Sequence, residues 1–293
     1  MKSYLFYPGC SMDASAQEYK GAMLAVFRAL GAEVQELEDW TCCGASVAPV
    51  MSDLLGLALP ARNLALAEKM SAGRPDSRTM AVGCSACFTS FARTNVAIAD
   101  PATLARVNQA LEVENLSYAG TITVRHMLDI LANDFGPAAI AAKVVRPLTG
   151  LKVAPYYGCQ TVRPYAHFDD AQHPLSMNGI LEALGATVYH HLQEASCCGT
   201  ALLTTKPELG LRIAGSILEA ALPADCITTV CPMCHMNLDS YQDKVSRVLG
   251  KPIKIPVTFL PQLIGVAFGL PEKEMQFKRH MVSVEPVMAK VPA

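Results

Sequence analysis

Eleven cysteines are the residues of this chain with the clearest chemical potential, and ten of them form two sets of five. Site 1 comprises Cys10, Cys42, Cys43, Cys84 and Cys87, and site 2 comprises Cys159, Cys197, Cys198, Cys231 and Cys234. In each set a single cysteine precedes a Cys-Cys-Gly sequence, by 31 or 37 residues, and a Cys-x-x-Cys pair follows after 40 or 32 residues. Thiolates in such numbers are ligands for soft metals and for iron–sulfur clusters. Each set therefore predicts a site of five sulfur atoms.

Three other uses of these thiols fit the pattern less well. A disulfide between adjacent residues such as Cys42 and Cys43 would be strained, because their Cα atoms are only about 3.8 Å apart. A tetrahedral zinc site takes four ligands, so one thiol of each set would have no role. Thiol–disulfide exchange at a Cys-x-x-Cys pair needs neither the Cys-Cys-Gly sequence nor Cys10. Structural zinc and thiol exchange stay open as alternatives.

Iron–sulfur chemistry uses the whole pattern. An ordinary four-iron cubane takes four thiolates, so five ligands indicate a larger or more open cluster. Gly44 and Gly199 allow the backbone to approach a cluster with its N–H groups toward sulfur, so we expect both glycines to contribute to cofactor binding. Cys84 and Cys231 precede predicted helices, whose positive N-terminal ends favour thiolate ligands.

The segments that position the cysteines also occur twice, in the same order. The matched pairs are YLFYPGC and VAPYYGC, ALGAEV and ALGATV, TCCG and SCCG, CSAC and CPMC, and the segments beginning at Ile122 and Ile255. A period this long indicates a duplicated domain and not a short solenoid repeat. We predict an N-terminal domain over residues 1–145 and a C-terminal domain with a C-terminal tail over residues 146–293.

Each copy alternates short β-rich runs with amphipathic helices. The predicted helices span residues 19–30, 54–70, 175–184 and 209–222, and Gly31 and Gly185 suit the left-handed position that ends a helix. Alternating strands and helices predict an α/β fold with mainly parallel sheets and helices on both faces. Ligands of such sheets collect at the carboxyl ends of the strands, where the cysteines are expected to converge.

Composition excludes several functional classes. The chain has 293 residues, of which 51% are apolar and 17% charged, and this excludes a disordered chain. Its net charge of −2 gives no reason to expect nucleic acid or an anionic membrane as a partner. Apolar runs are too short for a signal peptide or a membrane span, so we expect a cytoplasmic, reducing location without direct membrane insertion.

The sequence segments around the cysteines resemble those of a known family. The segments YPGCS, DWTCCGAS, YYGCQTVRP, PLSMNGILEALGA, SCCG and CPMCHMNLD are similar to the B subunit of heterodisulfide reductase, which carries a duplicated cysteine-rich CCG domain. The resemblance runs from Tyr4 to about Gly269. It implies two pseudo-symmetric Rossmann-like CCG domains, each with a noncubane [4Fe-4S] cluster held by all five cysteines of sites 1 and 2. Within the family, the resemblance extends to the bacterial sulfur-oxidising heterodisulfide reductase-like branch.

The resemblance also implies an activity and partners. Family members are oxidoreductases that act on sulfur groups and cleave or form a disulfide or persulfide within a complex. Their usual neighbours are a ferredoxin-like C subunit and a flavin-containing A subunit, and the substrate is a small sulfur compound or a sulfur-carrier protein. This chain has no GxGxxG sequence and no separate ferredoxin spacing, so electrons must pass through partners.

Individual catalytic residues follow from the two-electron chemistry of a disulfide. We predict catalytic roles for Cys42, Cys43, Cys197 and Cys198, and we predict His235, next to Cys234, as a proton donor. Cys226 lies outside both sets and is interpreted as a buried thiol in a strand. Two other functions stay open: an electron-relay subunit of a redox complex, and a scaffold protein that binds structural zinc.

Overall fold

Two four-stranded parallel sheets form the centre of the computed structural model, which describes residues 2–73 and 78–292. The strands are β1 (Lys2–Tyr7), β2 (Ala32–Glu36), β3 (Thr79–Val82), β4 (Thr123–His126), β5 (Lys152–Tyr156), β6 (Thr187–Val188), β7 (Cys226–Thr229) and β8 (Val257–Phe259). The strand orders β2-β1-β3-β4 and β6-β5-β7-β8 are the same in the two copies. The predicted α/β fold with parallel sheets is confirmed.

Helices connect the strands, as a parallel sheet requires. They are α1 (Gly9–Asp13), α2 (Gln17–Ala29), α3 (Ala48–Met51), α4 (Asp53–Met70), α5 (Ser85–Ala97), α6 (Pro101–Leu111), α7 (Met127–Asp129), α8 (Gly136–Ala141), α9 (Ser176–Ala183), α10 (Pro207–Ala221), α11 (Pro232–Ser240), α12 (Gln242–Leu249), α13 (Leu260–Ala267), α14 (Glu272–Met275) and α15 (Glu285–Met288), with a π-helical segment over Ile130–Phe135. Among the described residues, none of these helices has the length and apolar character needed to cross a bilayer. Gly31 and Gly185 have φ angles of 78° and 83°, which confirms the predicted left-handed helix ends.

Two hydrophobic core clusters each contain residues of both copies. Along β1, Tyr4 and Phe6 point into a core that also contains Val153 and Phe259 of the second copy. Leu5 and Tyr7 point to the opposite face, toward the cysteines. Because strand side chains alternate between faces, a single strand serves both layers. The two copies pack as one unit, so their packing does not test the domain boundary near residue 145. That boundary stays a prediction.

Helices of the two copies pack against each other reciprocally. Helix α2 of the first copy packs against α13 and α14 of the second, and α9 of the second packs against α8 and the π-helical segment of the first. At the centre of this arrangement the ring of Tyr19, on α2, stacks on Phe259 with centroids 4.2 Å apart. The interior between the copies is therefore built from both.

The C-terminal tail ties the copies together. Arg279 donates to Glu18 of α2 at 2.9 Å, and the Glu18 side chain is only 4% exposed. The backbone N–H groups of Met281 and Val282 donate to Asp239 of α11 at 2.7 and 3.1 Å. The tail therefore bridges a helix of the first copy and the helix that carries Cys234.

The hydroxyl of Tyr19 yields a first testable prediction. It is fully buried and lies 2.9 Å from the Gly83 carbonyl and 2.8 Å from the Val230 carbonyl, directly before Cys84 and Cys231. We expect Tyr19→Phe to lower the free energy of unfolding by about 1–3 kcal/mol, because it leaves buried carbonyls without a donor. Denaturant unfolding measures this change. The control Tyr4→Phe, whose hydroxyl bonds the half-buried Asp134, should cost less, and equal losses would contradict the argument.

Candidate metal centre

All ten cysteines of the two sets lie beyond the carboxyl ends of the parallel strands. In the first copy, Cys10 lies in α1 directly after β1, and Cys84 is the residue between β3 and α5. In the second copy, Cys159 follows β5, and Cys231 is the residue between β7 and α11. The Cys-Cys-Gly sequences lie in the loops that follow β2 and β6. The expected convergence at this edge of each sheet is therefore present.

The sulfur atoms of site 1 touch one another in a series. The Sγ atoms of Cys10 and Cys42 are 3.9 Å apart, and those of Cys43 and Cys87 are 3.2 Å apart. Cys42 and Cys43, and likewise Cys84 and Cys87, are close enough to shift each other's pKa. Two thiolates on one tetrahedral metal at about 2.3 Å lie roughly 3.8 Å apart, so these spacings suit shared metal ligands.

Site 2 repeats this arrangement around a cavity. The thiols of three pairs are close enough to shift each other's pKa: Cys159 with Cys197, Cys198 with Cys234, and Cys231 with Cys234. All five sulfur-bearing residues line a cavity of about 120 Å³. Cys231 lies near Cys84 of site 1, because the carbonyls directly before them, of Val230 and Gly83, both lie within 3 Å of the Tyr19 hydroxyl. The two sites therefore come together near the first residues of the two Cys-x-x-Cys pairs.

Backbone N–H groups around the cysteines favour an anionic ligand. Gly44 and Gly199 have φ angles of 68° and 80°, and their N–H groups point at the sulfur atoms of Cys42 and Cys197 at 3.5 and 3.4 Å. Glycine at position 158 also keeps the space beside Cys234 open, because a Cβ atom on Gly158 would lie 3.0 Å from the Cys234 sulfur. The five sulfurs, the inward N–H groups and the cavity fit an iron–sulfur cluster.

Matching side chains hold the Cys-Cys-Gly loops in both copies. The hydroxyl of Tyr7 donates to the Thr41 carbonyl at 2.8 Å, and its counterpart Tyr156 donates to the Ser196 carbonyl at 2.7 Å. Three residues after each last cysteine, Ser90 and Asn237 donate to the carbonyls of Cys43 and Cys198. The loops are thus fixed before any ligand binds, which lowers the cost of ordering them.

Contacts between thiols lower the pKa of one cysteine in each pair. The thiols of Cys42 and Cys87 donate to Cys43 and lower its pKa to about 4. In site 2 the thiol of Cys159 lowers the pKa of Cys197 to about 6, and the charge of Arg163 helps. The same contacts raise the pKa of the partner thiols Cys42, Cys87 and Cys159, so each thiolate is stabilised by a neighbouring thiol, which must lose its proton before it binds metal.

All eleven cysteines are free thiols, so the structure contains no disulfide among the residues it describes. Cys226 is fully buried in β7, and burial raises its pKa to about 12, which confirms its interpretation as a buried thiol. Structural zinc stays open as an alternative, since sulfur ligands suit zinc as well as iron.

The family model of the cysteine-rich domain, CCG, matches residues 4–92 and 153–239. The chain belongs to the CCG family. Each match contains one complete set of five cysteines. The duplication predicted from the repeated segments is therefore a duplication of the CCG domain.

Relatives of this CCG chain align over nearly its whole length. The 8-methylmenaquinol:fumarate reductase membrane anchor subunit of Wolinella succinogenes is 33% identical over 285 residues, which cover 96% of this chain and 97% of that protein. The B subunit of the ferredoxin:CoB-CoM heterodisulfide reductase of Methanosarcina mazei is 27% identical over 299 residues, 99% of this chain and 97% of that protein. A protein of Archaeoglobus profundus described as like the heterodisulfide reductase B subunit is 28% identical and covers 93% of both chains. The resemblance to the B subunit of heterodisulfide reductase is confirmed.

The fold of the CCG chain also occurs in a solved structure. A hypothetical protein from Helicobacter pylori superposes with a TM-score of 0.75 at 15% identity, over 97% of this chain. This chain spans about half of that structure, 52% of its length. At this identity the likeness shows the fold alone.

The buried side chain of His235 packs against Phe259 and against His280 of the C-terminal tail. Its ring stacks on Phe259, and its Nε2 atom is 3.0 Å from the Val257 carbonyl and 3.1 Å from Nδ1 of His280. His235, Asp239 and His280 bring possible metal-ligand atoms within 4.8 Å, but each already makes hydrogen bonds to its neighbours. The structure therefore places His235 against the C-terminal tail, and its role as a proton donor stays a prediction.

A buried hydrogen-bond chain beside the sites was missed by sequence reasoning. The Leu128 N–H donates to Nδ1 of His126, so Nε2 carries the ring proton and donates to Ser85 Oγ at 3.3 Å. The Ser85 hydroxyl then bonds Thr161 at 2.6 Å, and Thr161 donates to the Tyr157 carbonyl at 2.6 Å. The position of Ser85, directly after Cys84, could have indicated a role beside the sites. His126 is far from any cysteine in sequence, so no local pattern indicated it.

Burial of His126 predicts a pH dependence of stability. Loss of solvent lowers its pKa from 6.5 to about 4. Between these values the unfolded chain binds a proton that the folded chain does not, so stability falls as the pH drops below 6.5. His126→Gln should remove this contribution, so the difference in unfolding free energy between wild type and variant should change by about 2 kcal/mol from pH 7.5 to pH 5. The same difference at both pH values would contradict the assignment.

Proposed function

We propose that the chain is an iron–sulfur subunit of a heterodisulfide reductase-type complex that cleaves or forms a disulfide or persulfide at two noncubane [4Fe-4S] clusters. One observation carries the proposal: two complete sets of five sulfurs that come together where the carbonyls of Gly83 and Val230, directly before Cys84 and Cys231, both lie within 3 Å of the Tyr19 hydroxyl. The relatives named as heterodisulfide reductase subunits support the same reaction class.

The reaction needs two electron-transfer sites close together. Cleavage of R–S–S–R′ takes up two electrons and two protons and gives RSH and R′SH. When bound, two clusters would supply the electrons one at a time and would offer iron as a Lewis acid for sulfur. The closeness of Cys84 to Cys231 makes the sites neighbours, so both electrons can reach a single substrate.

The residues of the chain supply access and fixed geometry. Cys197 is exposed and Cys159 is half-buried, so site 2 opens to solvent on this side. Arg163 donates to the carbonyls of Ala171 and Ala195, so it fixes the loop beside Cys197. We propose that a small disulfide or persulfide, free or on a carrier protein, enters here.

Electrons must be exchanged with other subunits, because the sequence contains no flavin-binding or ferredoxin pattern. We propose a ferredoxin-like subunit and a flavin-containing subunit as partners and the cytoplasm as the location.

A second candidate is an electron-relay subunit that binds no sulfur substrate. The name of the Wolinella succinogenes relative, a subunit of a quinol:fumarate reductase, favours it. In this case the same two clusters would carry electrons between partners.

Metal analysis tests the proposal directly. Anaerobically purified full-length chain should contain about eight iron and as much acid-labile sulfide. Zinc without sulfide would support the zinc-binding scaffold and overturn the proposal. A change in the paramagnetic signal of the oxidised protein on addition of a small thiol supports disulfide chemistry, whereas an unchanged signal supports the relay.

A further inference from the structure

A group of exposed apolar side chains lies beside site 1. Val47, Val50 and Met51 are 62%, 84% and 73% exposed, and Leu55 of the next helix is 41% exposed. The first three are spaced by three and four residues around α3, so they lie on one side of this short helix. These four residues are termed the α3 face. Exposed apolar residues concentrated in this way mark a surface that another molecule covers.

The α3 face is held against the loop that carries two ligands of site 1. Helix α3 starts at Ala48, whose N–H donates to the carbonyl of Gly44, the glycine of the Cys-Cys-Gly sequence, at 3.0 Å. A Cβ atom on Gly44 would lie 2.8 Å from that of Ala48, so loop and helix are in close contact. Cys42 in this loop is exposed, as is Cys10. A protein seated on the α3 face is therefore next to the exposed ligands of site 1.

The internal repeat shows that the fold does not require apolar residues here. The second copy joins its Cys-Cys-Gly sequence to α10 through residues 200–206, of which Thr204 and Thr205 are polar and exposed. Counted back from the first residues of α4 and α10, these threonines match Val50 and Met51. The same position of one fold is thus apolar beside site 1 and polar beside site 2. Val50 and Met51 therefore have a role other than folding of the copy.

The segment that contains the α3 face is acidic. Residues 29–61, which include the Cys-Cys-Gly sequence and α3, contain five acidic residues and no Lys, Arg or His. The matching residues 183–215 of the second copy contain two acidic residues, one Lys, one Arg and two His. The charge of this segment therefore differs between the copies in the same way as its apolar character.

Exposed carboxylates border the α3 face. Asp13 and Asp39 lie three residues from the exposed ligands Cys10 and Cys42, and Asp53 is the first residue after the turn that ends α3. The three side chains are 54%, 75% and 88% exposed, whereas the Lys and Arg side chains paired with them are 21%, 11% and 36% exposed. The negative charges therefore face solvent, and a complementary partner has basic groups opposite them.

We propose that the α3 face is the docking site of an electron-transfer protein whose surface has basic residues around an apolar centre. One electron passes between the redox centre of that protein and the cluster at site 1, and no bond forms or breaks. The exposed ligands favour this occupant, because a protein bound beside Cys10 and Cys42 brings its own redox centre close to the cluster. The inference rests on the proposed iron–sulfur content and adds to it the face and the surface chemistry of one partner.

Electron transfer to two redox proteins of opposite charge tests the proposal. Full-length holoprotein is reduced anaerobically, freed of excess reductant and mixed with ferricytochrome c, a basic haem protein, or with oxidised plastocyanin, an acidic copper protein. Stopped-flow absorbance then measures the transfer of one electron from the protein to the haem or the copper. The rate constant for ferricytochrome c should fall about tenfold between about 20 and 200 mM salt, because salt screens the attraction. Plastocyanin should react more slowly at low salt, and its rate should rise with salt.

Three double variants locate the docking site. Val50→Thr with Met51→Thr gives the α3 face the residues of the second copy and should lower the rate constant for ferricytochrome c about fivefold. Asp39→Asn with Asp53→Asn should lower it and flatten its salt dependence, and asparagine tolerates the left-handed φ of 52° at position 39. The control is Leu192→Thr with Glu208→Gln, which makes the same kinds of change at exposed residues of the second copy and should leave the rate constant unchanged.

Iron and sulfide analysis of each variant, with its rate of oxidation by a small neutral quinone, shows whether the clusters are intact. An unchanged rate constant in the variant of Val50 and Met51, or equal rates for the two redox proteins at low salt, would overturn the inference. A wild-type dimer that these two substitutions dissociate would also overturn it, because the occupant would then be a second copy. These results leave the proposed function in place, and that function fails separately if the wild type lacks iron and sulfide.

Discussion

Replacing Cys198 by Ala should remove about half of the protein-bound iron and sulfide and leave the cluster of site 1 in place. The Cys198 side chain contacts Cys234 within site 2 and is buried beside the cavity. Cys43→Ala should have the mirror effect, because the Cys43 sulfur lies 3.2 Å from that of Cys87. Iron and sulfide analysis with paramagnetic spectra of both variants measures the loss and assigns each signal to its site.

Cys226→Ala is the matched control for this experiment. Its thiol is buried, like those of Cys43 and Cys198, but lies in β7, outside both sets, so the variant should keep the full iron content. Loss of both clusters in Cys198→Ala would contradict independent sites. The closeness of Cys84 to Cys231 is the feature that would couple them in this case.

Arg279→Met should lower the free energy of unfolding by about 2–3 kcal/mol. Removal of one partner of a buried ion pair costs about 3–5 kcal/mol, and partial exposure of the partner reduces this cost. Glu18 is 4% exposed and Arg279 is 40% exposed, so the variant leaves a buried carboxylate without its donor. The tail then loses its attachment to the first copy. Anaerobic denaturant unfolding measures the effect.

Two comparisons separate this ion pair from general effects of charge. Arg28→Met breaks an ion pair with Glu274 that also joins α2 to the tail, but the Arg28 side chain is 70% exposed, so we expect a loss below about 1 kcal/mol. Adding Glu18→Gln to Arg279→Met should recover more than half of the stability. Equal losses for Arg28→Met and Arg279→Met would show that burial of Glu18 is not the cause.

Local sequence patterns were sufficient to predict the main helices and to divide the cysteines into two sets. The helices predicted over 19–30 and 54–70 are found at Gln17–Ala29 and Asp53–Met70. A strand followed by a cysteine and then a helix fixes where that sulfur lies on a parallel sheet. The second strand of the second copy comprises only Thr187–Val188.

The order of residues along the chain was enough to establish that a cysteine-rich α/β unit is repeated and to divide ten sulfurs between two sites, because strand, helix and ligand spacing are local properties. The three-dimensional packing was needed to show that the sites come together near Cys84 and Cys231, that Ser85 of the first copy lines the cavity of site 2, and that His126 and the C-terminal tail pack beside them. These contacts join residues far apart in the chain. They depend on how the helices of the two copies pack against each other, and no periodic pattern in the sequence determines that packing.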